Sequence, residues 1–319
     1  MRSRLSVMAL VAFAAYLGAC DGGETATGTG GSGGDGGVGA AGGSGGTTSA
    51  NGGSGGAGGS GGTGGTTSAD GGSGGTGGSG GTGGSGGDDL AALSDDFEDP
   101  STISDWTFLH EVLGTDPPYD YLDIDTTEPG KLVFEPVVSA WYQDLMALFM
   151  YKQITGDFRV EIDAAAYQKG TESGPPTEDY NSVGMLIRDP ASVTGNQSWL
   201  MYNIGYQGGE LEAIGVEGKA TVGSQSELPL LSTNGVHAGR LRMCRLGNTV
   251  RMLRRLTGAS EWTETHTFPG SFPNTPAYTL PETVQVGIIN NTYLVAGLRA
   301  EVEHIRFARV TEPADCTAD

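Results

Sequence analysis

Aromatic side chains recur beside polar side chains in the central third of the chain. Such pairs suit one kind of chemistry, because the C–H face of a sugar ring can stack on an indole or phenol. Neighbouring amides and guanidinium groups can then bind its hydroxyls. The alternative for the tryptophans is a place in a packed core. The candidate ligand-binding residues are Trp141, Tyr142, Tyr180, Arg188, Trp199, Tyr202 and Asn203.

Two carboxylates, Glu161 and Asp163, raise the question of catalysis. They resemble the opening of the Glu-x-Asp-x-(x)-Glu motif of laminarinase-type glycosidases, which need a nucleophile and an acid/base carboxyl about 5–5.5 Å apart. Ala164-Ala165-Ala166 follows instead, so the last carboxylate of the motif is missing. The sequence therefore favours a non-catalytic domain and assigns no catalytic residue, although an enzyme without a recognisable motif stays open.

Metal chemistry has one candidate. The four histidines are scattered without metal-ligand spacing. Asp95, Asp96 and Asp99 could supply oxygen ligands to a structural Ca²⁺, a hard cation. The alternative to a calcium site is that these acidic residues bind no metal and only keep the start of the domain soluble. No other cofactor is expected.

Short apolar runs separated by Gly, Pro and Asn predict the elements that carry these residues. Phe158, Val160 and Ile162 alternate with Arg159 and Glu161, which is typical of a half-buried strand. This pattern predicts an all-β fold, a two-sheet antiparallel jelly-roll sandwich. The expected strands are 106–110, 131–135, 145–151, 158–167, 182–188, 199–205, 211–216, 240–246, 249–256, 284–289 and 298–310.

A succession of short motifs resembles the concanavalin A-like lectin/glucanase sandwich, especially the C-terminal module of family 43 β-xylosidases. The motifs include residues 154–161 (ITGDFRVE), 184–188 (GMLIR), 241–248 (LRMCRLGN) and 284–288 (VQVGI). The resemblance covers nearly all of 95–310. It implies a jelly-roll fold that is often associated with carbohydrate, without fixing an activity.

The first residues resemble a bacterial lipoprotein signal peptide. Arg2 and Arg4 precede an apolar run, residues 5–17, that is too short for a membrane span, and Leu17-Gly18-Ala19-Cys20 closes it. The resemblance implies acylation of Cys20, for example by palmitate, and a lipid-anchored protein of the cell envelope. The outer membrane or cell surface is favoured over the inner membrane, and cleaved secretion is the alternative.

Residues 21–87 contain 36 of the 57 glycines and no Lys, Arg, Pro or aromatic residue. Such a segment cannot bury enough apolar area to offset the entropy of ordering its backbone, so a disordered tether is expected. Residues 1–20 are thus the signal peptide and lipobox, 21–87 the tether, and 88–319 the folded domain.

With Cys20 assigned to lipid, two cysteines remain. Cys244 and Cys316 could form a disulfide, which an exported protein allows, or could be unrelated thiols. Because Cys244 shares a strand face with Arg242, it is expected outside the core.

The net charge of −21 argues against nucleic acid as the main partner. Residues 240–255 nevertheless contain six arginines and no acid. A solvated face that pairs with acidic neighbours is the favoured interpretation of this run, and a site for a polyanionic glycan is the alternative.

These observations favour an anchored, non-catalytic sandwich that binds polysaccharide. An adhesion or envelope-structural module without glycan affinity is the main alternative, and a glycan-cleaving enzyme is the third.

Overall fold

The computed structural model describes residues 89–171, 173–209 and 211–319. The expectations for the signal peptide and the tether lie outside these residues. None of the described helices is long and apolar enough to cross a membrane.

The described residues form two antiparallel sheets that pack face to face, which confirms the predicted all-β sandwich. Sheet 1 has the strand order β1-β4-β14-β6-β7-β8-β10, with β9 also paired to β8. Its strands are β1 (Thr107–Phe108), β4 (Phe149–Thr155), β6 (Asn181–Arg188), β7 (Trp199–Gln207), β8 (Ala213–Val222), β9 (Gln225–Glu227), β10 (Leu230–Ser232) and β14 (Thr283–Asn291).

Sheet 2 has the order β13-β12-β11-β5-β15-β3-β2. Its strands are β2 (Tyr119–Ile124), β3 (Leu132–Pro136), β5 (Phe158–Gln168), β11 (Ala238–Leu246), β12 (Thr249–Leu256), β13 (Thr263–Phe268) and β15 (Leu298–Arg309). The single α-helix of the described residues, α1 (Leu109–Leu113), follows β1, and 3₁₀ turns lie at Ala91–Leu93, Pro100–Asp105 and Pro313–Cys316.

The main core lies between the two sheets and follows the alternation in the sequence. Phe158, Val160 and Ile162 point inwards from β5 with no exposed surface. The intervening side chains, among them Arg159 and Glu161, point to the outer face of sheet 2. A period-two pattern buries every second side chain of a strand, so each sheet has one face in the core and one available for other contacts.

Three expected strands were wrong in part. The strand predicted at 106–110 is only two residues long before α1 begins at Leu109, and the one predicted at 145–151 begins at Phe149. The strand predicted at 211–216 begins at Ala213 and continues to Val222. Residues 139–148 instead run across the outer face of sheet 1. We call them the crossing segment.

Candidate functional site on the outer face of sheet 1

The crossing segment is bonded to both halves of sheet 1. The Trp141 N–H donates to Asn291 Oδ1 of β14 at 3.1 Å, and the Trp141 carbonyl accepts from Lys219 Nζ of β8 at 2.8 Å. Further along, the Gln143 N–H donates to Ser226 Oγ of β9 at 2.8 Å. The segment therefore covers much of the face on which a ligand platform was expected.

Trp141 and Trp199 hold this segment on the sheet. Their rings lie 5.6 Å apart, edge to face, and Trp141 packs in the same way on Phe149. Both tryptophans are buried, at 0% and 1% exposure. Neither presents a ring face to solvent, which corrects the expectation that they form an open sugar platform.

Arg188 is also buried. Its guanidinium donates to Gln285 Oε1 and to the Ser192 carbonyl, both at 2.8 Å. The arginine thus joins β6, β14 and the loop after β6, and it does not reach the surface as a ligand contact would require.

Tyr202 points the other way, into the main core. It has no exposed surface, and its hydroxyl lies 2.9 Å from Thr265 Oγ1 of β13. The prediction of Tyr202 as a ligand contact was wrong, because its position in β7 places it between the sheets.

A chain of polar side chains lies on the outer face of β7 and β8. Gln207 Nε2 donates to Asn203 Oδ1, and Asn203 Nδ2 donates to Glu217 Oε2, each at 3.1 Å. Lys219 Nζ lies 2.8 Å from Glu217 Oε1. We call Asn203, Gln207, Glu217 and Lys219 the polar floor; all four are buried. Asn203 thus serves as a link within this chain.

Beside the polar floor lie three tyrosines from three distant segments, Tyr142, Tyr180 and Tyr293, which we call the tyrosine cluster. The rings of Tyr180 and Tyr293 are 6.1 Å apart, and Lys219 Nζ lies 5.6 Å from the centre of the Tyr142 ring. Tyr142 and Tyr180 are half-buried, and Tyr293 is 44% exposed. The cluster is the part of this face where aromatic surface meets solvent.

Asn181 fixes the position of Tyr293. Its Nδ2 donates to the Val295 carbonyl at 3.0 Å, and its Oδ1 accepts from the Gly297 N–H at 2.9 Å. The loop after β14 is therefore tied to the first residue of β6, next to Tyr180. This anchoring brings the two rings together.

Tyr180 has a left-handed backbone, with φ of 54°, a conformation that bulky residues rarely adopt. Burial raises the pKa of its phenol, and the charges of Glu217 and Asp179 raise it further. The phenol is thus a neutral hydrogen-bond donor at physiological pH. Strained backbone of this kind is concentrated at functional sites.

Tyr293 and two members of the polar floor, Glu217 and Lys219, are absent from the sequence-predicted site. One available signal was the pair Glu217 and Lys219, two charges at alternate positions of a strand that is otherwise apolar or small. Charged residues are rarely buried without a partner, so such a pair indicates a polar contact on the covered face of a strand.

Glu161 and Asp163 lie elsewhere, on the outer face of sheet 2. Arg240 binds both carboxylates and Arg242 binds Glu161. Burial favours the neutral form of Glu161, but the nearby His304 ring, with Nε2 3.7 Å from Glu161 Oε1, and the hydrogen bond from Arg242 outweigh burial and lower its pKa to about 2. Such a carboxyl is an ion-pair partner rather than a proton donor. In sheet 1, Glu217 is the sole carboxylate within the described strands β4, β6, β7, β8 and β14, so these strands supply no carboxylate pair.

The calcium candidates are not brought together. Asp95 accepts bonds from the Phe97 N–H and the Trp106 indole, and Asp99 caps the 3₁₀ turn at Ser101. Among residues 89–171, 173–209 and 211–319, no three His, Cys, Asp or Glu side chains converge as metal ligands would.

Cys244 and Cys316 are joined by a disulfide with Cα atoms 5.5 Å apart. Cys244 does lie on the outer face, but it is fully buried in a small cluster with Leu253, Val310 and Cys316. Arg242 is likewise buried. The arginine-rich run therefore pairs with acidic neighbours as expected but is not solvated throughout.

No protein-family model matches the chain, and no curated protein matches it. Several solved structures are similar to it. A xylan β-1,4-xylosidase from Bacillus halodurans is 15% identical over 68% of this chain and 39% of its own, with a TM-score of 0.49. A GH43 protein from Bacillus licheniformis is 12% identical over the same shares, with a TM-score of 0.47.

A protein from Saccharomyces cerevisiae, described as functionally unknown, is 15% identical over 66% of this chain and 99% of its own, with a TM-score of 0.47. The chain spans about two fifths of the length of the xylosidase and of the GH43 protein described above.

Proposed function

We propose that the domain binds a neutral carbohydrate at the tyrosine cluster. The observation that carries this proposal is that Tyr142, Tyr180 and Tyr293 lie beside a buried polar chain, with the rings of Tyr180 and Tyr293 packed on each other. Phenol rings offer apolar faces to the C–H surface of a sugar and hydroxyls to its oxygens. Rigid aromatic side chains lose little conformational entropy on binding, which suits them to recognition surfaces.

The charges around Tyr180 favour a neutral ligand. Glu217 and Asp179 both disfavour ionisation of its phenol. Lys219 already pairs with Glu217, so the exposed Asp179 is the charge that would repel the carboxylate or sulfate of an acidic sugar.

The test of this function is binding of the purified protein to neutral polysaccharides on a glycan array. Binding of at least one neutral glycan is expected, with loss of the signal in Tyr180→Ala. An array without signal, in buffer with and without Ca²⁺, would reject carbohydrate binding. Release of reducing ends by the wild-type protein would instead indicate a glycan-cleaving enzyme.

A protein-binding envelope module is the second candidate. Tyr293, Leu294 and Val295 are consecutive and all exposed, at 44%, 66% and 48%. Contiguous exposed apolar residues are typical of protein contacts. A glycan array without signal for the wild type, together with a folded Leu294→Asp variant that loses adhesion to other cells, would favour this function.

We also propose that lipid on Cys20 anchors the protein in the cell envelope and that residues 21–87 tether the domain. The support is the lipobox-like sequence and the glycine-rich composition. Cys20→Ala is expected to move the protein from the membrane fraction to the soluble fraction and to abolish labelling with radioactive palmitate. Unchanged membrane association of that variant would contradict the anchor.

A further inference from the structure

The outer face of sheet 2 carries a cavity of about 690 Å³, far from the tyrosine cluster in the fold because the core separates the two outer faces. Its walls come from β5, β11, β12 and β15, from residues 91–96, and from Asp319. Five guanidinium groups line it: Arg159, Arg240, Arg242, Arg255 and Arg306.

Most of these guanidiniums are already bound. Arg242 donates to Glu161 and to the carbonyls of Cys316 and Ala318, and Arg159 donates to the Asp315 carbonyl at 3.0 Å. Arg240 is shared between Glu161 and Asp163. The cation that keeps Glu161 ionised is therefore Arg242, supported by Arg240.

Arg306 differs from these arginines in its surroundings. It stands opposite Glu161 in the pairing of β15 with β5 and is exposed. Within the described part of the chain it has no hydrogen-bond or ion-pair partner. Because Arg240 and Arg242 already neutralise Glu161, the charge of Arg306 is left for another anion.

The cavity already holds one carboxylate. Asp319 Oδ1 lies 2.7 Å from Arg255 Nη1, and the Asp319 side chain is 76% exposed. A planar carboxylate fits the fork of a guanidinium, which can bind both oxygens. Asp95 and Asp96 also line the cavity, and the net charge of −21 repels long polyanions. An anion bound here must therefore be small enough to contact the guanidinium groups without lying along these carboxylates.

We infer that this cavity is a binding site for a small carboxylate ligand, with Arg306 as its main contact. The ligand carboxylate sits between Arg306 and the neighbouring arginines of β5 and β11. The site is separate from the tyrosine cluster, so the two can bind independently.

The experiment is a ligand-observed NMR titration of the whole protein with succinate, with the neutral diamide succinamide as control ligand. Millimolar binding of succinate but not of succinamide is expected. Arg306→Ala should weaken it about tenfold, because a charge-assisted bond to the ligand is lost. Arg306→Lys should keep part of the affinity.

The matched control is Arg254→Ala. Arg254 pairs with Leu241 on the same sheet but points to its other face, and it donates to the Ser232 carbonyl; its loss should leave succinate binding unchanged. Equal binding of succinamide, or unchanged binding in Arg306→Ala, would overturn the inference. Inorganic phosphate that binds more tightly than succinate would overturn the assignment of a carboxylate.

Discussion

Arg242 Nε donates a 3.0 Å hydrogen bond to Glu161 Oε2, and the same guanidinium lies 3.9 Å from the centre of the Trp262 ring. The pair links β11 to β5 beneath the C-terminal residues. Both side chains are at least nine-tenths buried. Loss of one partner of a buried ion pair leaves the other charge uncompensated, which is costly.

Glu161→Gln is therefore expected to lower the free energy of unfolding at pH 7 by about 3 kcal/mol. The folded-state pKa of Glu161 is lowered from 4.5 to about 2. Its contribution is thus complete above pH 4.5 and declines as the pH falls towards 2. Urea unfolding of both proteins at pH 7, 4.5 and 3 checks this, and a difference that grows on acidification would contradict it.

His266 should make the fold less stable as the pH falls, whereas a histidine in an ion pair makes it more stable. Burial, with a smaller effect from Arg254, lowers its pKa from 6.5 to about 4. Between these values the unfolded chain binds the proton more tightly, so stability should fall by up to about 3 kcal/mol as the pH drops from 6.5 to 4. His266→Phe should flatten this part of the pH profile of thermal unfolding. An unchanged profile would show that other groups cause it.

The close approach of His266 to Gly218 gives a steric prediction. A Cβ atom at Gly218 would lie 2.8 Å from His266 Cγ. Gly218→Ala should therefore destabilise the fold by about 1–3 kcal/mol through overpacking. In the background of His266→Ala the same substitution should cost much less, and equal costs in both backgrounds, measured by chemical denaturation, would argue against this contact.

The disulfide between Cys244 and Cys316 spans 72 residues. Closing a loop of this length should stabilise the fold by about 4 kcal/mol through the entropy of the unfolded chain. A protein with both Cys244→Ala and Cys316→Ala should unfold at clearly lower denaturant concentration than the oxidised wild type. It should also no longer respond to dithiothreitol. Equal midpoints would show that the bridge contributes little.

The strands that lie in the middle of each sheet could be predicted from the sequence. The alternation in β5 and the Gly247-Asn248 turn between β11 and β12 gave their positions to within a few residues. Four edge strands, β2, β9, β10 and β13, were missed. β9 and β10 have only three residues each. The sequence of β13, TETHTF, is mostly polar, and that of β2, YDYLDI, is interrupted by two aspartates. These strands therefore lack the apolar signal of a buried strand.

The site was predicted less well. The sequence predicts Tyr142 and Tyr180 as ligand contacts, and both lie in the tyrosine cluster. Trp141 and Trp199 instead serve the packing of the crossing segment, and Tyr202 lies in the core. An aromatic residue beside an amide has the same local sequence whether its ring faces the core or solvent. Tyr293 is separated from Tyr180 by over a hundred residues, and the pairing of β6 with β14 and the bonds of Asn181 to the loop after β14 bring them together.

The central claim is that the tyrosine cluster binds a neutral glycan. The most direct measurement is affinity electrophoresis of the wild type, Tyr180→Ala and the control Tyr121→Ala. The gels contain the neutral polysaccharide to which the protein binds on the array. Tyr121 is a 39% exposed tyrosine on sheet 2. Loss of a stacking contact should weaken binding by Tyr180→Ala about tenfold, while Tyr121→Ala migrates like the wild type. Equal retardation of all three folded proteins would contradict the claim.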